Sequence, residues 1–191
     1  MDAPAFALFD TAIGRCGIVW NERGIAGVQL PEAGESATRS RLARRYPAAR
    51  EAAPDVSVRR AIGAIVGLLG GQQNDLSGVT LDYAGVPDFA RRVYDVARTI
   101  PPGGTISYGE LAERLNDRTF AREVAQALGQ NPFPIIVPCH RVMAAGGKMG
   151  GFSAPGGVRT KLRLLTIEGA QPTGPTLFAD LPLQAAPHRR A

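Results

Sequence analysis

The sequence predicts a small α/β unit followed by a mainly helical domain that carries a helix-turn-helix. Three observations predict it. Short apolar runs near the N-terminus are separated by clusters of turn residues. The texture changes at Ala84-Gly85-Val86-Pro87, after which apolar residues recur at helical spacing. Two short helical patterns then follow one another across a tight turn.

Residues 5–9, 16–20 and 25–30 read as three short strands of a small antiparallel sheet. Turns fall at residues 10–15 and at Asn21-Glu22-Arg23-Gly24. Residues 39–46 and 56–69 read as helices, and residues 76–83 as a further strand. From Asp88 onward Phe89, Val93, Val96 and Ile100 make one apolar stripe, which Pro101-Pro102-Gly103-Gly104 ends. Ser107-Tyr108-Gly109-Glu110 has the S-x-x-E form of a capping box, and Leu111, Ala112 and Leu115 give the helix it opens an apolar face. Asn116-Asp117-Arg118 forms the turn, with Thr119 as the expected N-cap of the next helix. Phe120, Val124, Ala127 and Leu128 would face inward there. That helix stops at Gly129 and cannot continue through Asn131-Pro132. A last helix is expected over residues 158–168, terminated by Gly169. The expected organisation is an α/β domain at 1–86, a helical domain at 87–170, and a loosely ordered Pro- and Ala-rich tail at 171–191.

Composition narrows the function. The chain has 191 residues, 45% hydrophobic and 20% charged, the balance of a globular protein. A net charge of +5 favours an anionic partner, nucleic acid first among them. Two cysteines, Cys16 and Cys139, and two histidines, His140 and His188, give neither a disulfide framework nor a metal-ligand cluster. No signal peptide or membrane-spanning run is visible, so a reduced cytoplasmic protein with no membrane association is expected.

The chemistry concentrates at Pro138-Cys139-His140-Arg141-Val142, after the apolar run Ile135-Ile136-Val137. Proline suits the first position of a helix, which would put Cys139 in the first turn. Free N–H groups and the helix dipole there favour a thiolate, the reactive form. Cys16, on an apolar strand, reads as a small buried hydrophobe. Neighbours on a helix do not face each other, so His140 would reach the Cys139 thiol through a bridging water. Glu168, a carboxylate placed against the dipole at a helix C-terminus, is the candidate to orient it, although spacing alone favours a solvated terminal residue. Arg141 reads as a structural ion-pair partner. Arg122 lies off the apolar stripe near the start of the second helix of the helix-turn-helix, open to solvent or to a ligand. A redox-sensing DNA-binding protein and a cysteine hydrolase using Cys139 and His140 both remain open on these residues alone.

The stretch Asn131-Pro132-Phe133-Pro134 through Pro138-Cys139-His140-Arg141-Val142, with the glycine-rich loop from Gly146 to Ser153, resembles the O6-alkylguanine-DNA alkyltransferases. The resemblance is close over residues 89–169 and looser before. It implies a ribonuclease-H-like N-terminal unit and a winged-helix-like second domain. It implies a monomer that binds double-stranded DNA containing O6-alkylguanine, flips the nucleotide out and transfers the alkyl group irreversibly to Cys139, with no cofactor and no metal. O6 of guanine takes part in base pairing, so the nucleotide has to leave the stack, at a cost of a few kcal/mol. The resemblance makes His140, held by Glu168, the route for the thiol proton, and Asn131 the residue that sets the conformation before the cysteine. Tyr108 helps rotate the nucleotide, and Arg122 replaces it in the duplex. Ser107 and Leu128 accompany Arg122 on the DNA-facing side, while Val142, Ser153 and Phe152 contact the guanine. Non-catalytic relatives that bind DNA replace the cysteine, which is present here. The chain departs from the pattern in three ways. Phe152 stands where tyrosine is frequent, residues 153–157 make a longer loop, and the N-terminal zinc ligands of some relatives are missing.

Overall fold

A computed structural model describes residues 3–170; the tail expected at 171–191 lies outside the described residues. The N-terminal part begins with strands β1 (Ala5–Thr11), β2 (Gly14–Asn21) and β3 (Gly24–Gln29), joined by two tight hairpins. Helix α1 (Glu35–Arg45) leads to a two-residue strand β4 (Arg50–Glu51), and α2 (Val56–Leu69) follows. The strand order is β3-β2-β1-β4. The hairpins are antiparallel, but β4 pairs parallel to β1, so the sheet is mixed rather than wholly antiparallel.

Helix α2 occupies the expected residues. Asp55 caps it, accepting from the Val58 N–H at 2.9 Å, and Val58, Ala61, Ile65, Leu68 and Leu69 point into the core. Helix α1 starts four residues earlier than expected. Its first turns are polar and carry no apolar period; Thr38 fixes them, donating to the Gly34 carbonyl at 3.1 Å and accepting from the Glu32 N–H at 3.1 Å.

The strand expected at residues 76–83 is not one. It touches β3 only at the Ile25–Leu81 bridge. The carbonyls of Leu76, Ser77 and Val79 are taken instead by one guanidinium nitrogen of Arg98, at 3.1, 2.5 and 2.7 Å. The end of the segment is pinned by Asp82, which accepts from Asn21 at 2.7 Å and from two nitrogens of Arg23 at 2.9 Å. Side chains thus satisfy backbone groups that a sheet neighbour would otherwise have to meet.

The second part contains α3 (Asp88–Arg98), β5 (Ile106–Ser107), α4 (Tyr108–Arg114), α5 (Ala121–Gly129), β6 (Val142–Met143) and α6 (Val158–Ile167). The stripe on α3 is widened by Ala90, Tyr94 and Ala97, all buried. The capping box of α4 forms: the Ser107 N–H donates to Glu110 at 2.6 Å, and the Glu110 N–H donates to Ser107 Oγ at 3.1 Å. Thr119 is not the N-cap of α5. Asp117 caps a short 3-10 turn, Arg118–Phe120, by accepting from the Thr119 N–H at 2.8 Å, and α5 starts only at Ala121. Phe120 therefore sits before the helix rather than on its inner face. It is 38% exposed and packs edge-on to Phe89, with ring centroids 5.6 Å apart.

Two features position the second part. Strand β6 pairs parallel with β5, which sets the residues after Cys139 beside the start of α4. The Val28 N–H on β3 donates to the Pro132 carbonyl at 2.9 Å, tying the sheet to the segment before the cysteine. One continuous apolar cluster runs from Ala7 through Leu111 and Phe133 to Leu164. Among the described residues no helix is long and apolar enough to cross a membrane.

Replacing Ser107 by Ala removes the acceptor of the α4 capping box. It should cost about 1 kcal/mol. In a thermal melt that corresponds to a fall of about 2–4 °C for a chain of this size.

Candidate active site

Cys139 does not open a helix. It begins a single 3-10 turn, Cys139–Arg141, whose preceding proline has φ −81° and ψ 63°. One turn of three residues lines up too few peptide dipoles to act as the expected helix terminus. Burial pushes the Cys139 thiol above its usual pKa. Opposing it are a hydrogen bond from Asn131, the nearby charge of Lys161, and the backbone N–H groups of Cys139 and His140. The pull toward the thiolate thus comes from Asn131, Lys161 and two local N–H groups rather than from a helix dipole, and burial outweighs it. Cys16 is fully buried; burial raises its thiol to about 11, only partly countered by Thr11, and it is inert by the same physics.

Asn131 organises the approach to the cysteine. Its Nδ2 donates to the Val137 carbonyl at 2.9 Å and to Cys139 Sγ at 3.4 Å, while its Oδ1 accepts from the Phe133 N–H at 2.8 Å. The loop between is strained. Ile135, a β-branched residue, has φ +76°, where side chains of its kind are outliers. Such strain persists only where the surroundings over-determine it, and it concentrates at functional sites.

Behind the cysteine lies a buried charge network. Glu168 is the C-cap residue of α6 and is 5% exposed. Its Oε1 meets His140 Nε2 at 2.9 Å. Arg141 grips the same carboxylate with two nitrogens, each at 2.8 Å, and donates a third hydrogen bond to the Ile100 carbonyl at 2.5 Å. Burial works to raise the Glu168 pKa, but the hydrogen bonds from His140 and Arg141, with the charge of the guanidinium, hold it down at about 2. For His140 burial wins over the carboxylate and lowers the pKa, so the ring is neutral at physiological pH. An ionised carboxylate only accepts, so Nε2 carries the ring proton and Nδ1 carries the lone pair. Nδ1 has no hydrogen-bond partner among the described residues, and none links His140 to Cys139 directly.

Sequence reasoning missed Lys161. Its side chain is fully buried on the inner face of α6, its Nζ donates to the Val142 carbonyl at 2.6 Å, and it lies 6.0 Å from the centre of the Tyr108 ring. No carboxylate pairs with it among the described residues. Burial lowers its pKa to about 8, against the opposing pull of Cys139. The available signal was its place beside Leu164 and Leu165 on an amphipathic helix, a lysine where the pattern calls for an apolar residue.

Cys139 opens onto a cleft of about 510 Å³, which brings together Tyr108, Leu128, Asn131, Phe152 and Ser153. Gly150, at φ +64°, passes so close to the Tyr108 ring that a Cβ there would sit 3.3 Å from it. Leu128 lines the cleft although only 6% of it is exposed. Val142 is wholly buried in β6 and does not line the cleft; its carbonyl is the acceptor for Lys161. Ser107 lies at the cap of α4, outside the cleft lining, and its hydroxyl oxygen is engaged by Glu110. Arg122 is exposed on the first turn of α5, also away from the cleft wall. No group of three or more potential metal ligands occurs among the described residues.

Glu168→Gln removes the charge that Arg141 and His140 share and strands a buried guanidinium. The variant should lose on the order of 3 kcal/mol at neutral pH. In the native protein the folded-state pKa lies below the unfolded value of about 4.3, so this carboxylate's contribution is complete above that pH and fades as pH falls toward 2. Denaturant melts across pH 2–7 should therefore show a gap between variant and wild type that narrows in acid. A pH-independent gap would remove the charge argument.

Comparison with known proteins matches this geometry to one group. The family model described as the 6-O-methylguanine DNA methyltransferase DNA binding domain matches residues 88–170. A methylated-DNA–protein-cysteine methyltransferase of Methanothermobacter thermautotrophicus is 34% identical over 158 residues, 83% of this chain and 81% of the relative. The bifunctional transcriptional activator and DNA repair enzyme Ada of Escherichia coli is 34% identical over 87% of this chain, which spans only 46% of that longer protein. Among solved structures, Mycobacterium tuberculosis OGT in complex with DNA superposes with a TM-score of 0.69 at 30% identity, covering 86% of this chain and 92% of that one. On its sequence identity and coverage, and with Cys139 next to a buried His140–Glu168 pair, the chain belongs to the methylated-DNA–protein-cysteine methyltransferase family.

Proposed function

We propose that this protein repairs O6-alkylguanine in duplex DNA by moving the alkyl group onto Cys139. The observation that carries the reading is the pairing of an accessible thiol in a base-sized cleft with a neutral imidazole fixed from behind by Glu168. The sulfur attacks the alkyl carbon, a new S–C bond forms, and the C–O6 bond breaks with its electron pair passing to guanine. The thiol proton leaves through a water to His140 Nδ1, and guanine takes up a proton to depart neutral. Regenerating the thiol would need a second nucleophile to attack the alkyl carbon and expel the thiolate, a step the mechanism does not contain, so each molecule acts once.

The other residues follow from their surroundings. Asn131 and Lys161 favour the thiolate against the burial that opposes it. Tyr108, on the cleft wall with its pKa raised by burial and by Cys139, offers a neutral ring and hydroxyl to the purine. Phe152 and Ser153 also line the cleft; with phenylalanine at 152, that side chain offers the purine a ring but no hydroxyl. Arg122, exposed on the helix-turn-helix, fills the space left by the extruded nucleotide, a role that a long cation suits. Ser107 and Leu128 act by shaping α4 and the cleft wall next to the DNA. A hydrolase using Cys139 and His140 is disfavoured, since Sγ takes its hydrogen bond from Asn131 and not from the imidazole.

Intact-mass spectrometry after mixing with an O6-methylguanine duplex tests the reading. One added methyl group should appear, mapped to Cys139. Cys139→Ala should take up none while still binding DNA, because binding rests on phosphate contacts; Cys16→Ala should behave as wild type. A methyl group on Cys16, or repeated turnover, overturns the assignment.

Arg122→Ala should slow repair of the duplex at least tenfold, yet leave reaction with free O6-benzylguanine within about twofold, since a free base needs no extrusion. Single-turnover rates on both substrates decide it. Equal loss on both would make Arg122 a folding residue.

A further inference from the structure

The cleft has a second wall that the chemistry above does not use. It is lined by Arg41 and Arg45 of α1, with Gln29 and Leu30 at the end of the first sheet. Both arginines are exposed. Two arginines nearby are held in close ion pairs: Arg39 bonds Glu35 and Glu51, and Arg15 bonds Glu35 at 3.0 Å. Arg41 has only a loose approach to Glu32, at 3.9 Å and with 55% of its side chain exposed. Arg45 makes no ion pair among the described residues; its guanidinium stacks over Tyr46, 5.6 Å from the ring centre. That stacking holds a rigid, weakly hydrated cation at the rim.

The geometry of an extruded nucleotide says what would meet them. With its base on the floor by Cys139 and Tyr108, the sugar and the two flanking phosphodiesters must stay at the mouth. Of the residues that line the cleft, only Arg41 and Arg45 carry a positive charge. We propose that Arg41 and Arg45 form a phosphate clamp that engages the backbone of the damaged strand beside the flipped nucleotide, so that the N-terminal part of the chain binds DNA together with the helix-turn-helix. This rests on the repair reading above and extends it to a surface outside the matched DNA-binding region, residues 88–170.

The clamp forms only when a nucleotide is extruded, so it has a distinctive signature. Removing one arginine–phosphate pairing should reduce the slope of log affinity against log salt by about 0.9. In a Cys139→Ala background, Arg41→Ala/Arg45→Ala should weaken binding to an O6-methylguanine duplex at least tenfold at physiological salt and flatten the slope by about 1.8. Binding to the same duplex without the lesion should shift by less than threefold. Thermal melts establish that the pair folds normally; Arg41→Lys/Arg45→Lys, which keeps the charge, should restore most of the slope. An unchanged slope on the lesion duplex overturns the clamp, as does an equal loss on both duplexes. Methyl uptake by the otherwise wild-type protein, measured alongside, separates the two ideas: uptake with an unchanged slope removes only the clamp, whereas no uptake removes the repair reading itself.

Discussion

The carboxylate of Glu168 is the interaction on which the site depends. It is nearly inaccessible, yet ionised, because Arg141 supplies two hydrogen bonds and His140 a third. Through Arg141 the same network reaches the Ile100 carbonyl just beyond α3. One carboxylate thus joins the end of α6, the turn bearing Cys139 and the end of α3. Buried ion pairs contribute little net stability against an apolar alternative, but breaking one is costly. The network fixes geometry: it holds the ring of His140 with its lone pair free.

A tension between burial and reactivity runs through the rest of the site. Burial of the Cys139 sulfur opposes ionisation of the very thiol that has to attack. Asn131 and Lys161 push the other way, and neither brings a negative charge that would repel the thiolate. A cation with a single carbonyl acceptor is costly to bury. Its position beside Tyr108 and within electrostatic reach of Cys139 gives that burial a purpose, as perturbed groups in clefts commonly have.

Much of this was legible in the sequence, for identifiable reasons. Helix α2 and the capping box of α4 were readable because local signals coincide there: an Asp or Ser cap, then an apolar period. Cys139 and His140 were legible in their local motif, whereas Glu168, a carboxylate on the wrong end of a helix, was assigned only through the family resemblance, since spacing alone favoured a solvated residue. What escaped is what tertiary contacts decide. Residues 76–83 have strand-like composition, but Arg98, more than 15 positions away, supplies their hydrogen bonds. Thr119 and Asp117 are both competent caps, and only the 3-10 turn chooses between them. Pro138 looks like a helix start, yet the chain leaves the turn after Arg141 to pair β6 with β5. Lys161 was invisible because a lysine on an amphipathic helix is ordinarily on the wet side.

Helix α6 gathers these dependencies at a late point in the chain. Lys161 reaches Val142, Arg163 reaches the Ala12 carbonyl in the first hairpin at 2.6 Å, and Glu168 completes the charge network. During synthesis on the ribosome the two β hairpins and the turn bearing Cys139 all emerge before it. Until residue 168 has cleared the exit tunnel, Arg141 has no carboxylate to hold and His140 no fixed tautomer. The buried network around His140 can therefore close only after every other described element of the fold has been synthesised, which makes its assembly a late event in the folding of the nascent chain.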